Sequence, residues 1–379
     1  MKVTFPHMGN SWIVIQALFE SLNIEFAVAP FNSKQTLNIG TKLAPESACL
    51  PLKLNLGNYV EAADMGADTV VITAGKGPCR FGYYGESERQ ILKDAGFNYE
   101  FILLEPPEGR LLGLLERIRY LAGAHNSWTK ILSAAMFAYR KSVAMDRIEM
   151  LIHGFRPHAQ NPHEANGLYE EAKKRLVLAM TDEGIEGVVR WLQARIQEKQ
   201  AEHPESLEIQ PLRIAVIGEI YTLLEPFSSC DIEKELGNLG TYVDRSIYLS
   251  GWVGQHVFQG FKQGCRPLKP YYRLAKPYLN HFVGGHGIET IGSAVHFARR
   301  GYDGIIQILP LGCMPEIVAS SILPQIQEDY NLPIMTLTFD EHTGQAGIQT
   351  RLEAFVDLLE RSRHKEQGSN LGGPIRAYS

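Results

Sequence analysis

Two segments of the chain carry the same pattern, and each of them ends on a cysteine. The first segment runs from Gly66 to Cys79, and the second runs from Gly301 to Cys313. In both, a Gly-x-Asp turn leads into a short apolar run typical of a buried parallel strand, and a loop rich in glycine and proline follows. Ligands of open α/β sheets bind beyond the carboxyl ends of the strands, so the repeat predicts two thiols at the active edges of two similar α/β halves. Two thiols that face one cleft indicate a shared metal or cluster.

Strands alternate with helical segments in residues 1–106 and again in residues 211–362. This alternation predicts an α/β protein with two Rossmann-like domains, each a doubly wound parallel sheet. Residues 107–205 have helical periodicity throughout, and we expect a helical insertion between the two domains there. Residues 363–379 are polar and rich in glycine, which predicts a mobile tail.

The composition narrows the class of protein. A chain of 379 residues is too long to fold around one ordinary hydrophobic core. Its net charge of -5 argues against a general nucleic-acid binder. The chain has no apolar run of about 18 residues, so we expect no membrane span. The N-terminus leads directly into a strand and has no signal-peptide apolar region, which predicts a cytoplasmic protein.

The cysteine pattern disfavours a disulfide framework and the common zinc motifs. The chain has five widely scattered cysteines, and no pair of them forms a C-x-x-C motif. An odd number of scattered thiols in a reducing compartment is not a disulfide framework. Zinc ribbons and thioredoxin-like redox pairs both need the closely spaced pair that is missing here.

Three of the cysteines lie where loops meet predicted helices. Cys49 precedes a helix with Pro51 in its first turn, Cys313 precedes another helix, and Cys79 is followed by Arg80. Helix N-termini and neighbouring cations lower the pKa of a thiol, and thiolates are ligands of soft metals. Cys49, Cys79 and Cys313 are therefore candidate ligands of a [4Fe–4S] cluster with three protein ligands, whose remaining iron would bind a substrate or small ligand. The alternative is that they are buried structural cysteines.

The other candidate residues have a weaker pattern. Cys230 precedes a predicted helix start and is either a fourth ligand or a thiol of the core. Cys265 lies in a run of cations that either docks a phosphate or an acidic partner or is a solvated face. The segment Gly284–Glu289 opens a helix and either cradles an anion or only permits a tight turn. Three side chains near these motifs are candidates for proton transfer, namely Glu46, His286 and Glu316.

Several motifs resemble one known family. The segments Glu46–Lys53, Gly77–Tyr84 and Gly312–Glu316 resemble those of the 2-hydroxyacyl-CoA dehydratase superfamily, as do Phe339–Gly344 and Thr350–Asp357. The match is closer to the acyl-CoA dehydratase activase-related branch, also called CoA protein activase, which is related to the double-cubane cluster proteins. The resemblance extends over nearly all of residues 1–362.

The resemblance implies two Rossmann-like domains with an iron–sulfur cluster in the cleft between them. It also implies an anaerobic host, oxygen sensitivity and a separate ATPase partner, itself an Fe–S homodimer, that supplies low-potential electrons. Cys49, Cys79 and Cys313 match the cluster ligands of the family, and Lys76 and Arg80 would offset the charge of the cluster. Five cysteines are too few for the six thiolates of a double cubane, so a single [4Fe–4S] cluster is expected unless a partner chain supplies thiols.

These observations lead to one functional expectation and two alternatives. We expect an iron–sulfur protein that receives electrons from an ATP-dependent activator and passes them to a small substrate or a partner subunit. It would act as a homodimer or as a heterodimer with a related subunit. The first alternative is the catalytic subunit of a 2-hydroxyacyl-CoA dehydratase, and the second is a non-catalytic accessory subunit or cluster carrier. A zinc site is disfavoured because no histidine motif accompanies the three cysteines.

Overall fold

A computed structural model describes residues 1–73, 79–104, 111–208, 210–254 and 269–371. In these ranges the chain is a mixed α/β structure with two parallel sheets, one of three strands and one of four. Lys76 and Cys265, both singled out in the sequence, lie outside the described residues. Within the described ranges, no helix is both long enough and apolar enough to cross a membrane.

The three-stranded sheet is built by the first 104 residues. Its elements are β1 (Val3–Thr4), α1 (Ser11–Leu22), α2 (Lys34–Leu43), α3 (Leu50–Asp64), β2 (Thr69–Ile72), α4 (Tyr84–Asp94) and β3 (Glu100–Leu103). The strands are parallel in the order β1-β2-β3, and Phe26 forms an isolated parallel bridge with Val3. Residues 25–29 thus form one bridge and no strand beside β1, which itself spans only two residues.

A helical region follows, with helices at the positions that the periodicity predicts. It consists of α5 (Leu111–Ala122), α6 (Trp128–Phe155), α7 (Pro162–Leu178) and α8 (Asp182–Glu202). The side chains of Ser127, Asn161 and Thr181 accept hydrogen bonds from the first backbone N–H groups of α6, α7 and α8. These caps satisfy donors that the helices themselves cannot pair, and so fix where each helix begins.

The four-stranded sheet is built by residues 213–371. Its elements are β4 (Arg213–Gly218), α9 (Ile220–Leu224), α10 (Ile232–Asn238), β5 (Tyr242–Arg245), α11 (Leu249–Val253), α12 (Lys269–Ala275), α13 (Gly287–Arg299), β6 (Gly304–Pro310), α14 (Met314–Tyr330), β7 (Ile334–Phe339) and α15 (Gln345–Leu371). The strands are parallel in the order β5-β4-β6-β7. Helix α15 continues to Leu371, so the first part of the expected tail is helical, and residues 372–379 lie outside the description.

The two sheets have the same arrangement around their first strand. In the four-stranded sheet, β4 lies between β5, the next strand in sequence, and β6. In the three-stranded sheet, β1 lies between the Phe26 bridge, which comes next in sequence, and β2. In such sheets the chain reverses its direction of winding next to the first strand, and ligands bind at that point. Cys79 follows β2 and Cys313 follows β6, so they occupy corresponding places in the two sheets.

Apolar packing joins α3 to the four-stranded sheet. Leu50 and Leu54, in the first turns of α3, belong to the same buried cluster as Ile214 of β4 and Ile308 of β6. The side chains of β4 and β6 are almost completely buried, which is typical of central parallel strands covered on both faces. This contact brings the start of α3, and with it Cys49, to the four-stranded sheet.

Candidate metal centre

Each of the three predicted ligands is the residue just before a helix. Cys49 precedes α3, Cys313 precedes α14, and Cys79 precedes a short 3₁₀ helix, Arg80–Tyr83, that leads into α4. None of these three thiols makes a capping hydrogen bond to its own helix. All three side chains are half-buried and unpaired with another cysteine. They are therefore available as ligands at the ends of their loops.

The loops that carry the three thiols touch one another. Arg80 Nη1 donates a hydrogen bond to the carbonyl of Ser47 at 2.7 Å, which joins the Cys79 loop to the Cys49 loop. A Cβ added to Gly312 would lie 3.9 Å from the same carbonyl oxygen, so the Cys313 loop also lies against the Cys49 loop. A Cβ on Gly285 would lie 3.7 Å from Cys79 Sγ and 3.1 Å from Pro315 Cγ. The structure thus brings the three cysteine loops together at one rim.

A buried ion pair holds the Cys49 loop against the four-stranded sheet. Lys53 lies one helical turn after Cys49, and its side chain is only 3% exposed. Its Nζ donates to Glu341 Oε1 at 2.5 Å, in the loop after β7, and to the carbonyl of Glu46 at 3.2 Å. A buried ammonium group is costly unless it is paired. The pair therefore fixes the position of α3 relative to the loop after β7.

Burial and one carboxylate control the acidity of the three thiols. Burial raises the pKa of Cys49 to about 11, and it also raises the pKa values of Cys79 and Cys313. The negative charge of Glu219 raises all three pKa values further. The expectation that helix N-termini and Arg80 would lower these pKa values is therefore wrong, because desolvation outweighs both effects.

The sequence did not predict that Tyr84 and Glu219 belong to the site of the three thiols. The Tyr84 hydroxyl is hydrogen-bonded to Cys49 Sγ. Glu219 comes directly after β4, where its carboxylate accepts hydrogen bonds from the backbone N–H groups of Tyr221 and Thr222. Tyr84 was part of the quoted motif around Cys79, but nothing in the sequence indicated its contact with Cys49. Glu219 follows an apolar strand and a glycine, and that pattern is the only signal that could have found it.

Glu316 lies near the thiols and is completely buried. It accepts hydrogen bonds from Thr290 Oγ1 at 2.9 Å and from Gln307 Nε2 at 3.0 Å. Burial raises the pKa of Glu316 to about 8, so this group is mainly protonated at neutral pH. It therefore provides little negative charge to complement the dipole of α14.

Of the remaining candidates, the segment Gly284–Glu289 lies against Cys79 through Gly285. Cys230 packs against the apolar cluster around β4 and β6, which agrees with the alternative of a core thiol. His286 Nε2 accepts a hydrogen bond from Trp252 Nε1 at 3.2 Å. Glu46 is exposed and contributes only its backbone carbonyl to Lys53.

The donor set consists of three thiols from three separate loops. Among the described residues, no three His, Cys, Asp or Glu side chains lie close enough together to hold one metal ion. A cubane binds each thiolate through a different iron, so its ligands are spread more widely than those of one ion. Thiols are soft ligands of the kind that iron–sulfur clusters take, so the three cysteines have the chemistry to hold such a group.

No family model matches the chain, and no curated protein matches it either. The function proposed below therefore rests on the three contacting loops and on the resemblance of the motifs.

The raised pKa values predict unusual thiol reactivity in metal-free protein. The pKa of Cys49 rises from an ordinary 9.0 to about 11, so its thiolate fraction at pH 8 is expected to be lower by about 100-fold. We expect its alkylation rate, followed by mass spectrometry of the Cys49 peptide, to keep rising up to about pH 11. The denatured chain is the control, and its rate should level off near pH 9. Steric shielding alone would slow the alkylation but leave the pH at which its rate levels off near 9. That result would contradict the prediction.

Proposed function

We propose that the chain is an iron–sulfur protein that receives low-potential electrons from an ATP-dependent Fe–S activator and passes them to a small substrate or a partner subunit. The proposal rests above all on one observation: three thiols lie on three contacting loops at the edges of two sheets. The proposal is also supported by the resemblance of the same three motifs to those of the 2-hydroxyacyl-CoA dehydratase superfamily.

Within this proposal, the two sheets belong to two Rossmann-like domains, residues 1–106 and 211–362, with the helical region of residues 107–205 between them. The cluster would lie in the cleft between these domains. Residues 363–371 continue helix α15, and Arg363 pairs with Asp303, so the second domain would extend beyond residue 362. The protein would act in the cytoplasm of an anaerobic cell, as a homodimer or as a heterodimer with a related subunit.

Cys49, Cys79 and Cys313 would hold a [4Fe–4S] cluster, which supplies one-electron redox chemistry when bound. The residues around the thiols limit the access of water, since all three side chains are half-buried. Lys53 and Glu341 keep the Cys49 loop on the four-stranded sheet, so that a thiol from each side faces the same rim. The Tyr84 hydroxyl orients Cys49 through their hydrogen bond.

Iron and sulfide analysis of anaerobically purified protein tests the proposal. We expect a brown protein with roughly four irons and four sulfides per chain, the stoichiometry of one cubane. A low-potential reductant should bleach the visible absorption of the cluster. Air should first restore this absorption and then abolish it as the cluster is destroyed. A colourless anaerobic preparation that contains zinc or no metal would overturn the proposal.

A further inference from the structure

Glu219 lies at the point where the four-stranded sheet would bind a ligand. It is the first residue after β4, and its backbone N–H donates to the Ile308 carbonyl of β6 at 3.3 Å. Cys313 follows the same strand β6 by three residues. β4 and β6 are the pair of strands between which the winding of the sheet reverses, which is where sheets of this kind bind ligands. Glu219 and Cys313 therefore both lie at the ligand-binding edge of this strand pair.

The helix that Glu219 caps shares a buried apolar cluster with α3, which begins just after Cys49. Tyr221 and Leu223 of α9 belong to the same buried cluster as Leu50 and Leu54 of α3. Cys49 is the residue immediately before Leu50. Glu219 is thus held between the strand that leads to Cys313 and the helix that begins at Cys49.

The carboxylate of Glu219 has acceptor capacity left over. Oε2 accepts from Thr222 N at 2.9 Å and from Thr222 Oγ1 at 3.0 Å, whereas Oε1 accepts, among the described residues, only from Tyr221 N at 2.9 Å. An ionised carboxylate offers about four lone-pair sites, two on each oxygen, so these contacts leave one site on Oε1. The side chain is half-buried, in contrast to the fully buried and hydrogen-bonded Glu316.

We propose that Glu219 Oε1 is the fourth protein ligand of the cluster, bound to the iron that the three cysteines leave open. This inference rests on the proposed function and extends it by naming the residue at that iron. Cys230, the fourth ligand considered from the sequence, packs instead into the apolar core. Carboxylate oxygen is a weaker ligand than thiolate for the iron of such a cluster, so a substrate or small ligand would displace Glu219 more readily than a cysteine.

The fixed hydrogen bonds of Glu219 explain how one weak ligand would stay in place. Thr222 and Tyr221 hold the carboxylate in one orientation, and outer contacts of this kind are worth about 10-fold to 100-fold in the affinity of a metal ligand. The remaining lone pair on Oε1 is therefore presented in a fixed direction rather than by a mobile side chain.

The retention of the fourth iron tests this role without an activity assay. Wild-type protein, Glu219→Ala and Glu219→Gln are reconstituted anaerobically and then treated with a mild oxidant, and the [3Fe–4S] product is followed by electron paramagnetic resonance. We expect both variants to load a full cluster and then to lose the fourth iron about 10-fold faster than wild type, or more. Cys230→Ser is the matched control, since it removes the other fourth-ligand candidate and leaves Glu219 and its hydrogen bonds unchanged. It should lose iron at a rate closer to that of wild type.

The outcomes separate the ligand role from the proposed function. If wild-type protein takes up no iron, the proposed function and the ligand role both fail. If wild type holds a cluster but loses the fourth iron as fast as Glu219→Gln, only the ligand role fails. Glu219→Gln keeps the length and one acceptor oxygen of the cap, so it decides the question should Glu219→Ala not fold.

Discussion

Serine in place of Cys49, Cys79 or Cys313 is expected to remove or degrade the cluster in each single variant. Hydroxyl oxygen is a poorer ligand than thiolate for the iron of such a cluster, so each change breaks one of three attachments. The three thiols belong to separate loops, and Cys230, the other cysteine among the described residues, packs against the apolar core. Iron per chain, measured after anaerobic purification, should fall from roughly four to well below half that value.

The two other cysteines are the matched controls for this experiment. Cys230→Ser should keep the iron and change only the free energy of unfolding, by about 1 kcal/mol, because its side chain packs partly into the core. Cys265→Ser should also keep the iron, since the sequence places that thiol in a basic run away from the three motifs. Loss of iron in Cys265→Ser together with full retention in Cys79→Ser would refute the ligand assignment.

The internal repeat allowed the sequence to predict the parallel strands that precede Cys79 and Cys313. In each repeat, a short apolar run between a glycine turn and a glycine-rich loop is typical of a buried strand. Both runs are strands in the structure, β2 and β6. The extent of strand pairing at residues 25–29 could not be predicted from such a repeat. It depends on β1, and a strand of two residues offers few hydrogen bonds to a neighbour.

The acidity of the thiols shows why part of the site was beyond sequence reasoning. Local features such as Arg80 and the helix starts suggested low pKa values, and these features are visible in the sequence. Desolvation and the charge of Glu219 act in the opposite direction, and both depend on contacts between distant segments. Glu219 lies 94 residues before Cys313 in the sequence. Its proximity to the thiols follows only from the pairing of β4 with β6.

A buried ion network joins the four-stranded sheet to the helical region. Arg245, at the end of β5, is only 5% exposed and pairs with Glu149 of α6 and with Glu233 of α10. His153 Nε2 lies 3.1 Å from Glu233 Oε2, and Asn10 Nδ2 donates to Glu149 Oε1 at 2.7 Å. The network therefore joins β5, α6, α10 and the loop before α1 through a single guanidinium group.

Arg245→Met should strongly destabilise the protein. The change leaves the buried carboxylate of Glu149 and the half-buried carboxylate of Glu233 without their common cation, and breaking a buried pair typically costs about 3–5 kcal/mol. Chemical denaturation at pH 7 measures the free energy of unfolding. Arg147→Met is the matched control, because Arg147 is on the same helix α6 as Glu149 but pairs with Glu186 on the surface. Its cost should be at most about 1 kcal/mol.

The pH dependence of this loss identifies its cause. Burial alone would raise the pKa of Glu233, but Arg245 and His153 outweigh it and lower the pKa to about 2. A lowered pKa contributes stability above the ordinary value of 4.5, and that contribution is lost as the pH falls from 4.5 toward 2. The difference between wild type and Arg245→Met should therefore be largest above pH 5 and shrink in acid. A difference that stays constant from pH 7 to pH 3 would indicate that Arg245 acts through packing and not through its charge.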